Sequence, residues 1–516
     1  MYVRTVTTKG TKYLQLAHNY RDPKTGISKV RVIHSLGRAD QLDPEALRRL
    51  VRSISRFLEP GDAQQVLQHI DGSPFEFMGS KSVGSVWLLD QVWKRLGIDA
   101  TLHALLGKRD YATPIERLIF SMVCNRAVNP SSKLAMEQWV AHEVMIDGLP
   151  EVEVQQLYRA MDFLLEAADE IQWDVYFGIA NLLNLEVDVI FLDTTTTYFE
   201  TSSELACEQS MRQRGYSKDS RPDLLQVVIG FAMTRQGIPV RCWVWPGNTV
   251  DQNAVNEVKH DLNGWKLGRV ITVMDAGFSS LENKRVLQGA GDHYIIGEKM
   301  RAGSKGKPVD ALKRGGRYSK LDNGLETKEV VVGGDSVARQ RYVICHNPEE
   351  AERDRKKRDD IVADVTRMLS DIRQLQGEPH TKAMCALRSH PVYGRYVKQA
   401  RDGSLSIDSN RVRQEERFDG KFLISTSDDL LPAEDVAIAY KHLWQIERLN
   451  RDLKHVVDVR PVYHRLDQRV RSHVLLCWLA LLLIRVIENQ CGNTWRNTKS
   501  ILNRLQVGMC ECQSYS

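Results

Sequence analysis

Two short runs constrain this chain most, Val187-Asp-Val-Ile-Phe-Leu-Asp193 and the segment 270 to 274 that leads into Asp275. Each is too short for a core helix, rich in β-branched residues and closed by a carboxylate. Runs of this kind are strands buried on both faces of a sheet. Around them the pattern predicts strands at 224 to 233 and 238 to 245, joined at Arg235-Gln-Gly237, and a further strand at 293 to 297. Helices are expected near 251 to 261 and 279 to 288. Three consecutive strands followed by helix, strand, helix and strand make a mixed-sheet α/β core.

A chain of 516 residues exceeds one compact core, so several units are expected. Residues 1–60 predict a small β-ribbon and a helix from 43 to 57, lined by Lys9, Lys12, Arg21, Lys24, Lys29 and Arg31 and broken at Asp22-Pro-Lys-Thr-Gly26. A solvated ribbon and a DNA-touching arm both fit that composition. Residues 61–182 read as a helical domain with helices near 83 to 96, 113 to 126, 131 to 143 and 152 to 183. The turn Asn125-Arg-Ala-Val-Asn-Pro130 has the outline of a helix-turn-helix, which ordinary bundle packing also explains. The core occupies 183–300 and resumes at 421–495, ahead of a tail at 496–516. Between its parts, 301–420 form an α+β insertion. It has a Gly- and Lys-rich lead-in from Arg301 to Lys307 and strands near 326 to 333 and 338 to 345. A charged helix from 348 to 376 follows, packing through Ile361, Val365, Met368 and Ile372, and then a strand pair near 404 to 416 and 421 to 426.

The net charge of +5, from 71 Lys and Arg against 66 Asp and Glu, permits nucleic-acid binding without arguing for it. Nine cysteines without a C-x-x-C pair point to a reduced, cytoplasmic setting and away from structural zinc. The start, Met1-Tyr-Val-Arg-Thr, lacks the apolar stretch of a secretory signal. The longest apolar run, 474 to 484, falls short of the roughly twenty residues a membrane span needs, so a buried helix is expected and no membrane partner.

Asp193 and Asp275 close two core strands, the edge at which α/β sheets place ligands. Gly277 frees the turn after Asp275. Neighbouring strands lie under about 5 Å apart, so two such side chains can share a hard cation, magnesium or manganese. Either Asp alone could instead cap a turn. A third carboxylate, Glu447, falls on a helix expected from Pro432, beside an apolar stripe of Leu443, Ile446, Leu449 and Leu453. Tyr440, Glu447, Arg451 and Lys454 follow helical spacing on the neighbouring stripe. A surface Glu-to-Arg pair is the plain alternative.

Asp193, Asp275 with its Asp-Ala-Gly-Phe run, and Tyr440-(6)-Glu447-(6)-Lys454 resemble the DDE transposases of bacterial insertion sequences, in the branch with the signature Tyr-(2)-Arg-(3)-Glu-(6)-Lys and a β-rich insertion before the glutamate. Gly215-Tyr-Ser-Lys-Asp-Ser-Arg-Pro-Asp223, Asn347-Pro-Glu-Glu-Ala-Glu-Arg353 and Arg460-Pro-Val-Tyr-His-Arg465 extend the resemblance over residues 1 to 490. It implies a ribonuclease-H-like core, Mg2+ held by Asp193, Asp275 and Glu447 with Mn2+ able to substitute, and phosphate contacts from Tyr440, Arg451 and Lys454. It further implies double-stranded DNA as partner, both the terminal inverted repeats of the element and its target, with the helical domain 61–182 binding the DNA ends, and a homodimer in the active complex. The signature arginine falls at position 443, which is Leu, so its phosphate contact is either missing or supplied elsewhere, by Arg448 or His442. A DNA-binding remnant that no longer cuts and a ribonuclease-H-like nuclease or resolvase that does not join strands are the competing functions. Some relatives stabilise a hairpin end by stacking a flipped base on a tryptophan of the insertion. Here no Trp lies between 301 and 420, so a hairpin step either relies on Tyr318, Tyr342, Tyr393 or Tyr396 or is missing from the mechanism.

Overall fold

The structure, a computed structural model, describes residues 1–8, 10–21, 28–58, 62, 66, 75–107, 114–149, 151–183, 189–200, 210–264, 270–301, 307–322, 324–334 and 337–512. Lys9, Lys24, the turn at 22–26, positions 187 and 188, and 302–306 of the basic lead-in lie outside the described residues. The chain divides into two compact units, 1–80 with 508–516, and 81–507.

In the first unit β1 (Tyr2–Thr8), β2 (Thr11–Arg21) and β3 (Ser28–Arg38) form an antiparallel meander. A helix, Pro44–Ser55, follows; the Asp43 carboxylate accepts the Glu45 N–H, and proline at the first position needs no donor. Strand β4 (Phe75–Ser82) pairs with the C-terminal strand Gln506–Cys512.

The second unit opens with helices Gly84–Arg95, Ile98–Leu106, Ile115–Val128, Lys133–His142, Val154–Glu166 and Ala168–Leu183. The helix Ile98–Leu106 was not foreseen; Gly97, at φ 72°, ends the helix before it. The single helix expected at 152 to 183 is two, parted at Ala167 with neither Gly nor Pro to mark the break. Ile115–Val128 is buried along almost its whole length and packs against Val154–Glu166 and a long helix, Asp467–Cys491. The segment with a helix-turn-helix outline thus has its first helix packed in the bundle, while the second, Lys133–His142, buries only Lys133, Met136, Trp139 and Val140.

The sheet contains β5 (Val189–Tyr198), β6 (Gln226–Met233), β7 (Pro239–Pro246), β8 (Ile271–Met274), β9 (His293–Glu298), β10 (Ser319–Lys320), β11 (Glu326–Gly334) and β12 (Val337–His346). A separate pair, β13 (Val397–Gln399) and β14 (Leu405–Ile407), precedes β15 (Lys421–Thr426), which completes the sheet. The order is β10-β11-β12-β15-β9-β8-β5-β6-β7. β8 runs parallel to β5 and to β9, and the other pairings are antiparallel. Two-residue alternation splits the apolar side chains between the faces. Phe191, Val273, Ile295, Val343 and Ile424 join a core with the helices, while Ile190, Leu192, Met274 and Ile296 meet Val255, Val258 and Leu262 of the helix Asp251–Gly264.

The charged helix Pro348–Gln374 packs through Val365, Leu369 and Ile372 onto Leu387, Val397 and Leu405. Met368, expected on that face, is exposed and Leu369 takes its place. A helix at Gly377–Ser389 was also unforeseen. The strand expected at 404 to 416 ends with β14; the rest is a helix, Ser409–Glu416, because the Asp408 carboxylate caps it by accepting the N–H groups of Asn410 and Arg411. Asp467–Cys491 is long and apolar enough to cross a membrane, but 94% of its most apolar window is buried inside the protein. It is the core helix that the apolar run at 474 to 484 predicted.

Candidate active site

The site arises where one strand outruns its neighbour. Parallel pairing of β5 with β8 stops at Leu192 opposite Met274, so the next positions are Asp193 and Asp275, side by side at the carboxyl edge. β5 continues to Tyr198 with β6 on one side. The segment after Gln213 reaches β5 from β6, anchored by the mutual backbone hydrogen bonds of Gln213 and Gln226 and by the Gln226 side-chain amide donating to the Tyr216 carbonyl at 3.0 Å. Gly215 is required there, since a Cβ would stand 2.1 Å from the Gly247 carbonyl oxygen. The Lys218 N–H donates to Thr196 Oγ1 at 3.0 Å, and its Nζ donates to the carbonyl and hydroxyl oxygens of Thr194, both at 2.7 Å.

The Lys218 ammonium also lies 3.6 Å from Asp193 Oδ1 and 3.6 Å from Asp251 Oδ2. Asp251, at the start of its helix, accepts the Thr194 hydroxyl. Burial pushes the Asp193 carboxyl up to about 6; Lys218 and the Thr194 N–H oppose that shift, and the charges of Asp251 and Asp275 add to it. The other Asp193 oxygen accepts the Asn450 side-chain amide at 2.9 Å.

Glu447 and Tyr440 do not share one helix as their spacing suggested. The segment breaks at His442 and Leu443 into Ala433–Lys441 and Trp444–His455, again without Gly or Pro. Tyr440 still reaches the site: its hydroxyl donates to Asp275 Oδ1 at 3.3 Å, and Gly297 of β9 makes room, since a Cβ there would stand 2.1 Å from the Tyr440 hydroxyl oxygen. Burial, then Asp275, then Glu447 push the phenol well above its ordinary range. Leu443, Ile446, Leu449 and Leu453 are all buried, as the stripe predicted. Glu447, exposed, lines a cleft of about 290 Å³ with Asp193, Lys218, Asn450, Arg451 and Lys454.

The cations divide by partner. Arg451 is exposed to the cleft and has no ion pair among the described residues. Lys454 is held by Asp219, Nζ to Oδ1 2.8 Å, and Arg460 stands 3.2 Å from the other Asp219 oxygen. Arg448 pairs with Glu488 of the core helix at 2.9 Å, and position 443 itself is buried. A side chain at 443 thus points into the core, and Arg448 faces the core helix.

Among the described residues no three His, Cys, Asp or Glu side chains converge into a ready-made metal cage. The carboxylates nevertheless suit a hard divalent cation: Asp193 and Glu447 line one cleft and Asp275 stands beside Asp193 at the end of the neighbouring strand. The buried Asn450 Oδ1 receives no hydrogen bond. Magnesium takes one or two carboxylates and keeps water or substrate oxygens, so it does not need a full protein cage.

Sequence reasoning missed roles for Lys218, Asp219, Asp251 and Asn450. The stretch 215 to 223 was noticed without a task, and Asp251 read as the first residue of a helix. Asn450 could have been found as the position one turn after Glu447.

Comparison with known proteins adds three findings. The family described as transposase DDE domain matches residues 186–483, and the IS1634 family transposase N-terminal domain matches residues 3–65. No curated protein matches the chain. A cryo-EM structure of a piggyBac transposase synaptic complex with hairpin DNA is similar at 9% identity and a TM-score of 0.35, over 81% of this chain and 79% of that one, too slight a likeness to bear on the fold.

Proposed function

The chain belongs to the DDE-domain transposases of insertion sequences, and from that membership we propose that it binds the terminal inverted repeats of its element, cuts the DNA there and joins the freed ends to target DNA. The carrying observation is that Asp193 and Asp275 occupy adjacent register positions at one sheet edge, while Glu447 lines the same cleft as Asp193. The strand order β7-β6-β5-β8-β9, antiparallel at first and then parallel, supports a ribonuclease-H-like core. Asp193, Asp275 and Glu447 would hold Mg2+, with Mn2+ as substitute. When bound, a metal pair supplies charge stabilisation at the entering and leaving oxygens of phosphoryl transfer.

The protein's own groups prepare the place for that chemistry. Asn450 fixes one oxygen of Asp193, and Tyr440 fixes one of Asp275. Arg451 and Lys454 line the same cleft, which supports their taking backbone phosphates there. Both strands of a DNA end and the target are duplex partners, and a homodimer in the cytoplasm is the working assembly. Of the four insertion tyrosines, Tyr342 and Tyr396 are buried, so only Tyr318 and Tyr393 keep ring surface for a flipped base. The test is a labelled repeat end with a second duplex in Mg2+. Nicked and joined products are expected; no metal-dependent nicking would refute the reading, and nicking without joining would reduce it to a nuclease.

A further inference from the structure

Two neighbouring residues, Lys218 and Asp219, meet the two halves of the cleft with opposite charges. Lys218 lies against the acidic half, 3.6 Å from Asp193 and from Asp251. Asp219 lies against the basic half, 2.8 Å from Lys454 and 3.2 Å from Arg460. Each supplies one charge against two, so neither half is neutralised. The ammonium spends its short contacts on Thr194, at 2.7 Å, and holds the carboxylates only by longer ones. Asp219 is largely buried, yet its Oδ2 has no well-formed hydrogen bond. A divalent cation would answer the acidic half better than one ammonium, and a phosphate diester the basic half as well as one carboxylate.

We propose that Lys218 and Asp219 are internal counter-ions, the first competing with a divalent cation for Asp193 and the second competing with DNA phosphate for Lys454 and Arg460. Because the two are adjacent in one segment, displacing either loosens the other. Metal binding and DNA binding are then coupled through residues 217 to 220, each strengthening the other by the same factor. This rests on the reading of the cleft as a metal and phosphate site.

Binding measurements on the full chain test it apart from catalysis. Mn2+ binding is followed by electron paramagnetic resonance, and binding of a fluorescent duplex of arbitrary sequence by anisotropy in chelator. Lys218→Met should bind Mn2+ about tenfold more tightly than wild type, within the usual span of coupling factors. Lys218→Arg, which keeps the charge, should match wild type. Asp219→Asn should bind the duplex several-fold more tightly, with a steeper salt dependence from the two released cations. Duplex DNA should tighten Mn2+ binding to wild type, and the double variant should lose that coupling. Unchanged or weaker Mn2+ binding by Lys218→Met, or an Arg variant as tight as the Met variant, would overturn the acidic half. Unchanged or weaker duplex binding by Asp219→Asn, which would mark Asp219 as a support for Lys454, would overturn the basic half. If wild type itself bound neither Mn2+ nor duplex, the reading of the cleft would fall as well, a result distinct from these.

Discussion

The strands β7-β6-β5-β8-β9 and β15-β12-β11-β10 form one sheet, yet Asp193 and Asp275 both belong to the first group. The second is antiparallel throughout, so its strand ends alternate between the two edges. Parallel neighbours end at the same edge, which lets β5 and β8 present two carboxylates together. Where β8 stops, the rest of β5 borders the crevice that the Lys218 segment and Glu447 line. Within this sheet the two candidate aspartates thus fall at the parallel junction of β5 with β8, and the strands β15-β12-β11-β10 carry neither.

Substitutions in each half should separate along that division. Asp193→Asn, Asp275→Asn or Glu447→Gln should cut metal-dependent nicking by on the order of a thousandfold, since several kcal/mol of transition-state stabilisation is withdrawn. Circular dichroism should show the fold intact. Nicking close to wild type by any one variant would remove that residue from the site. Ile344→Ala, in buried β12, should instead cost about 2 to 5 kcal/mol of stability in denaturant titration. Below its melting temperature nicking should persist; lost nicking in folded protein would show that the antiparallel half does more than support.

Smaller effects sharpen the same contrast. Arg451→Ala should weaken duplex binding across sequences and lower its salt slope by about one unit. A loss confined to one base position would mean that Arg451 reads a base edge. Arg355→Ala, on the exposed face of the charged helix, breaks only a surface pair with Glu352 and should change stability by under about 0.5 kcal/mol. A larger change would mean that this face is covered in the working assembly.

What the sequence disclosed follows from the range of the forces involved. The strands into Asp193 and Asp275 were legible because burial on both faces demands an uninterrupted apolar run, and the stripe 443, 446, 449 and 453 because one helix face meets the core. The breaks at Ala167 and at His442 were not, since neither carries Gly or Pro and tertiary packing sets them. Ser409–Glu416 was misread because its cap, Asp408, outweighs strand-like expectations for the charged residues after it. The pairings of Lys218 and Asp219 span up to about 240 residues of sequence, beyond any local pattern.

The core helix Asp467–Cys491 packs against Gly84–Arg95, Ile115–Val128, Val154–Glu166 and β7. The ribosome therefore releases the early helices hundreds of residues before the element that covers them. Until then the apolar faces that it covers have no partner there, and exposed surface of that kind is prone to aggregation. Synthesis stopped anywhere before residue 467 would leave a product without its central buried helix, so premature termination should yield degraded chain rather than a working fragment.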